Sequence, residues 1–97
     1  MDTVEYFALK RANDPKGYVY TMVNYHIDEV LSKYQQVKRL AKGTEKYANE
    51  VRKLNDRIHL ASVSLNRMVA EYPNRFGVER TELENHIRMK LGFLMKN

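Results

Sequence analysis

The apolar positions of the chain repeat with a helical period over most of its length. Between the first two turn-like segments they fall at Tyr20, Val23, Ile27, Val30, Tyr34, Val37 and Ala41, in steps that alternate between three and four. A second run, Tyr47, Val51, Leu54, Ile58, Ala61, Leu65, Met68 and Tyr72, alternates in the same way. Such steps keep side chains on one stripe of a helix, so each run forms a heptad seam. Three polar or glycine-bearing breaks divide the chain: Asn13-Asp14-Pro15-Lys16-Gly17, Gly43-Thr44 and Pro73-Asn74-Arg75-Phe76-Gly77. The first has turn composition. The second pairs a helix-ending glycine with an N-cap threonine. Two long helices are predicted, over about 19–42 and 45–72, with lengths of ~36 and ~42 Å at ~1.5 Å per residue.

A two-residue break between such helices favours an antiparallel hairpin. Facing positions in that arrangement share one sum of residue numbers. The pairs Ala41–Tyr47, Val37–Val51, Tyr34–Leu54, Val30–Ile58, Ile27–Ala61, Val23–Leu65 and Tyr20–Met68 all sum to 88. Large faces small at Ala41–Tyr47 and Ile27–Ala61, as interdigitating layers prefer. Short helices are predicted at both ends. Asp2-Thr3-Val4-Glu5 has capping-box spacing before a stretch reaching about Ala12. Thr81-Glu82-Leu83-Glu84 repeats that spacing ahead of the stripe Leu83, Ile87, Leu91 and Leu94, giving a helix over about 82–95.

Apolar residues remain outside the seams. Leu60, Val63 and Ala70 lie off the stripe of the third helix, while Val19, Leu31 and Leu40 widen that of the second. Terminal helices this short cannot sheathe a hairpin of ~40 Å. The expectation is therefore a homodimer with a four-helix core, Leu60, Val63 and Ala70 lying at the self-association face.

Composition narrows the class further. A chain of 97 residues is expected to form one all-α domain over 1–97, and only 4 Gly and 2 Pro argue against sandwiches and barrels. The absence of Cys excludes disulfide scaffolds, thiolate zinc sites and thiol catalysis. No apolar run reaches the ~18 residues of a membrane span, and the N-terminus lacks the pattern of a signal peptide, so a cytoplasmic setting is expected. The net charge is +5, divided as zero over 1–17, +2 over 18–43, +1 over 44–73 and +2 over 74–97. A surplus spread in this way favours acidic partners only in general terms.

Catalytic and metal chemistry find little support. His26, His59 and His86 sit on different predicted helices, and Asp56-x-x-His59 is a single carboxylate-x-x-His element where bundle metal sites need two. Glu82 and His86 are spaced for an intrahelical pair. Ser32, Ser62 and Ser64 lie within helices without a glycine elbow, and no phosphate-binding glycine loop is present. No enzyme activity, metal or cofactor is expected.

Two surfaces stand out instead. Tyr6, Tyr18 and Tyr25 fall off the seams near the open end of the hairpin, beside Lys10, Arg11 and Lys16. With Phe76 they are the residue types of protein-binding hot spots, so Tyr6, Arg11, Tyr18, Tyr25 and Phe76 form the candidate contact for a protein partner. Aromatic and basic residues together can also bind single-stranded nucleic acid, normally with a stronger basic groove. At the opposite end, Lys38, Arg39, Lys42, Lys46 and Lys53, with Arg52, make an electrostatic tip suited to phosphates or to an acidic protein. Lys38, Arg39 and Lys42 also complement the C-terminal dipole of their helix, whereas Lys46 opens the next helix, where a cation is disfavoured. The stretch Gly77-Val78-Glu79-Arg80-Thr81-Glu82-Leu83, followed by Ile87 and Leu91-Gly92, resembles the second half of a helix-turn-helix. Pro73 before the turn and the acids Glu82 and Glu84 oppose that reading and favour a capped packing helix. The function expected is that of a small non-enzymatic regulator, inhibitor or adaptor of a larger protein. The alternative is a nucleic-acid-binding regulator using the basic tip or the C-terminal helix.

Overall fold

Helix starts follow the side-chain oxygens that the chain offers to free amides. In a computed structural model describing residues 2–95, the elements are α1 (Thr3–Asn13), α2 (Pro15–Lys38), α3 (Glu45–Phe76) and α4 (Arg80–Met95), all helical. Asp2 accepts from the Glu5 amide at 2.8 Å, Asp14 from Gly17 at 3.1 Å, and Thr44 from Tyr47 at 3.1 Å. Each contact satisfies an amide that the first helical turn leaves unpaired.

The boundaries differ from the sequence reading in four places. The expected turn over 13–17 shrinks to Asp14, and α2 starts at Pro15 rather than Val19. Proline has no amide hydrogen to lose at a first helical position, and Asp14 caps the helix behind it. At its other end α2 stops at Lys38 rather than Lys42. The Arg39 amide donates to the Gln36 carbonyl at 3.3 Å and Leu40 to Val37 at 3.1 Å, a tightening that closes the helix early. The loop is thus Arg39–Thr44, with Gly43 at φ +85°, and Ala41 is exposed outside the helix instead of forming a core layer with Tyr47.

Further along, α3 runs through Pro73 to Phe76 rather than ending at Tyr72. Pro73 lies in the last turn, where its missing N–H removes one bond only, and Tyr72 and Phe76 pack against the core on either side of it. Gly77 then closes the helix at φ +68°, its amide donating to the Pro73 carbonyl at 3.0 Å. Finally, α4 begins before the expected capping box. Thr81 is already helical, and Glu84 accepts from the Arg80 guanidinium at 2.8 Å.

The core lies toward the Asp14 end of the molecule. Val19, Val23, Ile27 and Val30 of α2 cluster with Ala61, Leu65 and Met68 of α3, Val78 of the turn, and Leu83, Ile87 and Leu91 of α4. α4 thus covers apolar surface that the sequence reading left to a second chain, Val19 above all. Val37 and Leu54 are buried outside this cluster, nearer the loop. α2 packs chiefly against α3, and two ion pairs cross between them, Lys33 with Glu50 and Glu29 with Arg57 at 3.7 Å. Later residues of α2 therefore meet earlier residues of α3. α1 contacts α2 and contains no buried residue. Among the described residues no helix is long and apolar enough to cross a membrane.

Candidate functional site

The junction at Asp14 sets the open end. α1 and α2 meet there through a single non-helical residue, which places the rings of α1 beside the first turn of α2. Tyr6 meets Phe7 edge-on at 5.3 Å between ring centroids, Phe7 meets Tyr18 at 6.5 Å, and Tyr18 meets Phe76 at 5.6 Å. Tyr72 continues the chain at 5.0 Å from Phe76. Edge-on pairs at these separations gain from ring quadrupoles beyond simple burial. Two guanidinium groups lie over the Phe76 ring, Arg11 at 5.5 Å and Arg75 at 5.3 Å, and Lys10 lies over Tyr6 at 6.0 Å. Burial pushes the Tyr72 hydroxyl above its ordinary range, with Tyr18 and Glu71 adding to the effect and Arg75 and Arg11 opposing it. The result is a continuous aromatic ridge flanked by cations, contributed by three helices. Its outer member, Tyr6, is 47% exposed.

Of the residues expected at this surface, Tyr6, Arg11, Tyr18 and Phe76 come together. Tyr25 joins a different neighbourhood, about two turns further along α2. It is 57% exposed, meets His26 edge-on at 5.7 Å, and lines a shallow cleft with Asp28, Glu29, Lys33 and Arg57. The sequence reading missed Phe7 and Arg75 and assigned Tyr72 to the seam alone. The adjacency of Tyr6 and Phe7 was a usable signal for the first. The other two depended on α3 continuing through Pro73.

His86 takes structural partners. The Nε2 atom of His86 lies 2.6 Å from Oδ1 of Asn24, and its ring meets Tyr20 edge-on at 5.0 Å, so it ties α4 to α2. The expected pair with Glu82 does not form, because Glu82 reaches Lys16 at 3.4 Å. Burial, then the Glu82 carboxylate, raises the Tyr20 hydroxyl above its usual value against the opposing effect of Lys16. Among the described residues no group of three or more His, Asp or Glu is placed to hold a metal ion.

The stripe expected to drive self-association is open to solvent. Leu60 is 66% and Val63 52% exposed, and Ala70 is exposed as well. A separate groove of about 610 Å³ between α3 and α4 has Leu65, Val69 and Ile87 as its floor and Arg80, Glu84 and Arg88 at its rim.

At the tip, Lys38, Arg39, Lys42, Lys46 and Arg52 are exposed and form no ion pair among the described residues. Lys53 differs, lying 3.3 Å from Glu50, which also receives Lys33. The bond from Lys33, then that from Lys53, holds the Glu50 carboxyl below the usual glutamate range. A carboxyl depressed by folding stabilises the fold above its unfolded value and loses that contribution as pH falls through the folded value. Glu50→Gln should therefore flatten the acid limb of a plot of denaturation midpoint against pH. An unchanged limb would show that Glu50 carries no linkage.

No protein-family model, curated protein or solved structure matches the chain.

Proposed function

We propose that the chain is a non-enzymatic helical binding protein that docks on a larger protein and modulates it, as an inhibitor, adaptor or accessory subunit. The aromatic ridge carries this reading. Tyr6, Phe7, Tyr18, Phe76 and Tyr72 form one run of edge-on contacts, and Arg11 and Arg75 both lie on the Phe76 ring. Tyrosine and arginine dominate protein hot spots because they bury a large rigid area and still end in polar groups. The single domain is a hairpin of α2 and α3 in the register that sums to 88. The antiparallel sense is supported by the pairs Lys33–Glu50 and Glu29–Arg57, and the facing of the two stripes by the shared burial of Val23, Ile27, Val30, Ala61, Leu65 and Met68 in one cluster. Two copies associate through Leu60, Val63 and Ala70.

Immobilised chain should retain a protein from nuclease-treated extract of its native cells. Arg11→Ala or Tyr18→Ala should weaken that capture by ~30-fold, the equivalent of a ~2 kcal/mol hot spot. Arg11 lies on a helix without buried residues, so its removal tests the surface and not the fold. Capture that vanishes with nuclease, or that survives both substitutions, overturns the reading. In sedimentation the chain should run near twice 11.5 kDa, with Leu60→Glu shifting it to monomer. A monomer at all concentrations would remove the dimer from the proposal.

A further inference from the structure

The tip of the molecule has a chemistry that the aromatic ridge does not use. The segment Lys38–Lys53 holds six cations and two acids, which places four of the chain's five surplus positive charges in 16 residues. Division at the helix breaks hides this, because the segment straddles the loop. One of its two acids, Glu50, is already shared by Lys33 and Lys53. Lys38, Arg39, Lys42, Lys46 and Arg52 are left exposed without an ion pair among the described residues. The other end of α2 is some 20 residues away, or about 30 Å along the helix.

We infer that the tip binds the phosphate backbone of duplex nucleic acid, independently of sequence. Charge alone would admit an acidic protein as well. The apolar surface separates the two. A specific protein interface needs a desolvated apolar or aromatic centre within its polar rim. No large apolar side chain between Lys38 and Lys53 is exposed: Leu40, Tyr47 and Val51 are half-buried. Phosphate contacts need no such centre, since their free energy comes from the release of condensed counterions. The same absence argues against single strands, which bind by stacking bases on open rings. The Tyr34 ring, the nearest on α2, is occupied by Phe93 at 5.4 Å and by the Lys38 ammonium at 6.0 Å. Lys42 lies in the loop and Lys46 in the first turn of α3, so the cations are carried on both helix ends and the connection between them. This surface can track a line of phosphates while the ridge at the far end holds a protein.

The test is fluorescence anisotropy with a labelled random-sequence duplex of about 20 base pairs, titrated at several salt concentrations. Neutralising five phosphates gives a slope of log affinity against log salt of about −4.5, or a ~500-fold loss between about 50 and 200 mM salt. The double variant Lys42→Glu with Lys46→Glu should bring the slope to about −2.7 and cost at least about tenfold in affinity at low salt. Both positions are exposed, and unchanged circular dichroism would show that the fold persists. Arg67→Glu, an exposed cation elsewhere on α3, should have little effect. No binding at low salt, a slope shallower than about −1, or equal losses from Arg67→Glu and the tip variant would overturn the inference. Displacement of the duplex by polyglutamate at equal charge concentration would overturn it in favour of an acidic protein. The proposed ridge contact would survive each of these results, because it is read by protein capture after nuclease treatment.

Discussion

Truncation after Glu79 should abolish cooperative unfolding, whereas removal of residues 2–13 should leave a folded core. The contrast follows from where apolar area is buried. α4 contributes Leu83, Ile87 and Leu91 to the central cluster, while α1 has no buried residue. Three buried side chains of this size are worth about 5–9 kcal/mol together, against a total stability of about 5–15 kcal/mol for an ordinary domain. Losing α4 would also open Val19 and Val23 to water and break the bond between His86 and Asn24. Removing α1 costs the ring contact of Phe7 with Tyr18 and the Arg11 contact with Phe76, about 1–2 kcal/mol. Asp14 remains to cap α2. Thermal melts followed by circular dichroism would compare the two. A sigmoidal melt in the chain lacking α4 would show that α2 and α3 are stable without it.

Leu65→Ala should destabilise the chain by ~3–5 kcal/mol, and Leu54→Ala by only ~2–3 kcal/mol. Both side chains are buried leucines on the same stripe of α3. Leu65 sits within the cluster shared by three helices, while Leu54 is buried outside it, nearer the loop. A cavity surrounded on all sides collapses less than one near an open edge, and the uncollapsed volume adds to the cost. Urea titrations at constant slope would give the two values. Equal losses would mean that the interior is as well packed near the loop as at the Asp14 end.

The heptad steps made the two long helices legible, because spacing alone decides which residues share a stripe. Asp2 and Thr44 were legible as caps for a similar reason, since the geometry is local. Errors collected where local signals competed. Pro73 and Gly77 lie four apart, and either could have ended α3. Tertiary packing of Tyr72 and Phe76 decided for Gly77. The Thr81 capping box lost to a start at Arg80, whose guanidinium took the Glu84 carboxylate. At the candidate site, Tyr18 and Phe76 were found as residue types, but their contact depends on a separation of 58 positions that no periodicity encodes. Tyr25 illustrates the opposite error. Nearness in sequence to Tyr18 suggested a shared surface, yet about two helical turns separate them. The tip cations Lys38, Arg39, Lys42, Lys46, Arg52 and Lys53 were legible as one group, because a short loop keeps both of its sides close in sequence.

The uneven placement of the core gives the molecule a gradient of local stability. From Val19 to Val30, α2 is held by α3 and α4 together, but near the loop only Val37 and Leu54 are buried. Within α2 and α3, opening therefore starts at the loop and moves inward, with amide hydrogens around Arg39–Thr44 exchanging before those beside Val23 and Leu65. The end of the α2–α3 pair that carries the unpaired cations is thus the more loosely held end of that pair, so its lysines can follow an irregular line of charge. At the ridge, Tyr18, Tyr72 and Phe76 pack against the three-helix core, so these rings have little conformational entropy left to lose on contact.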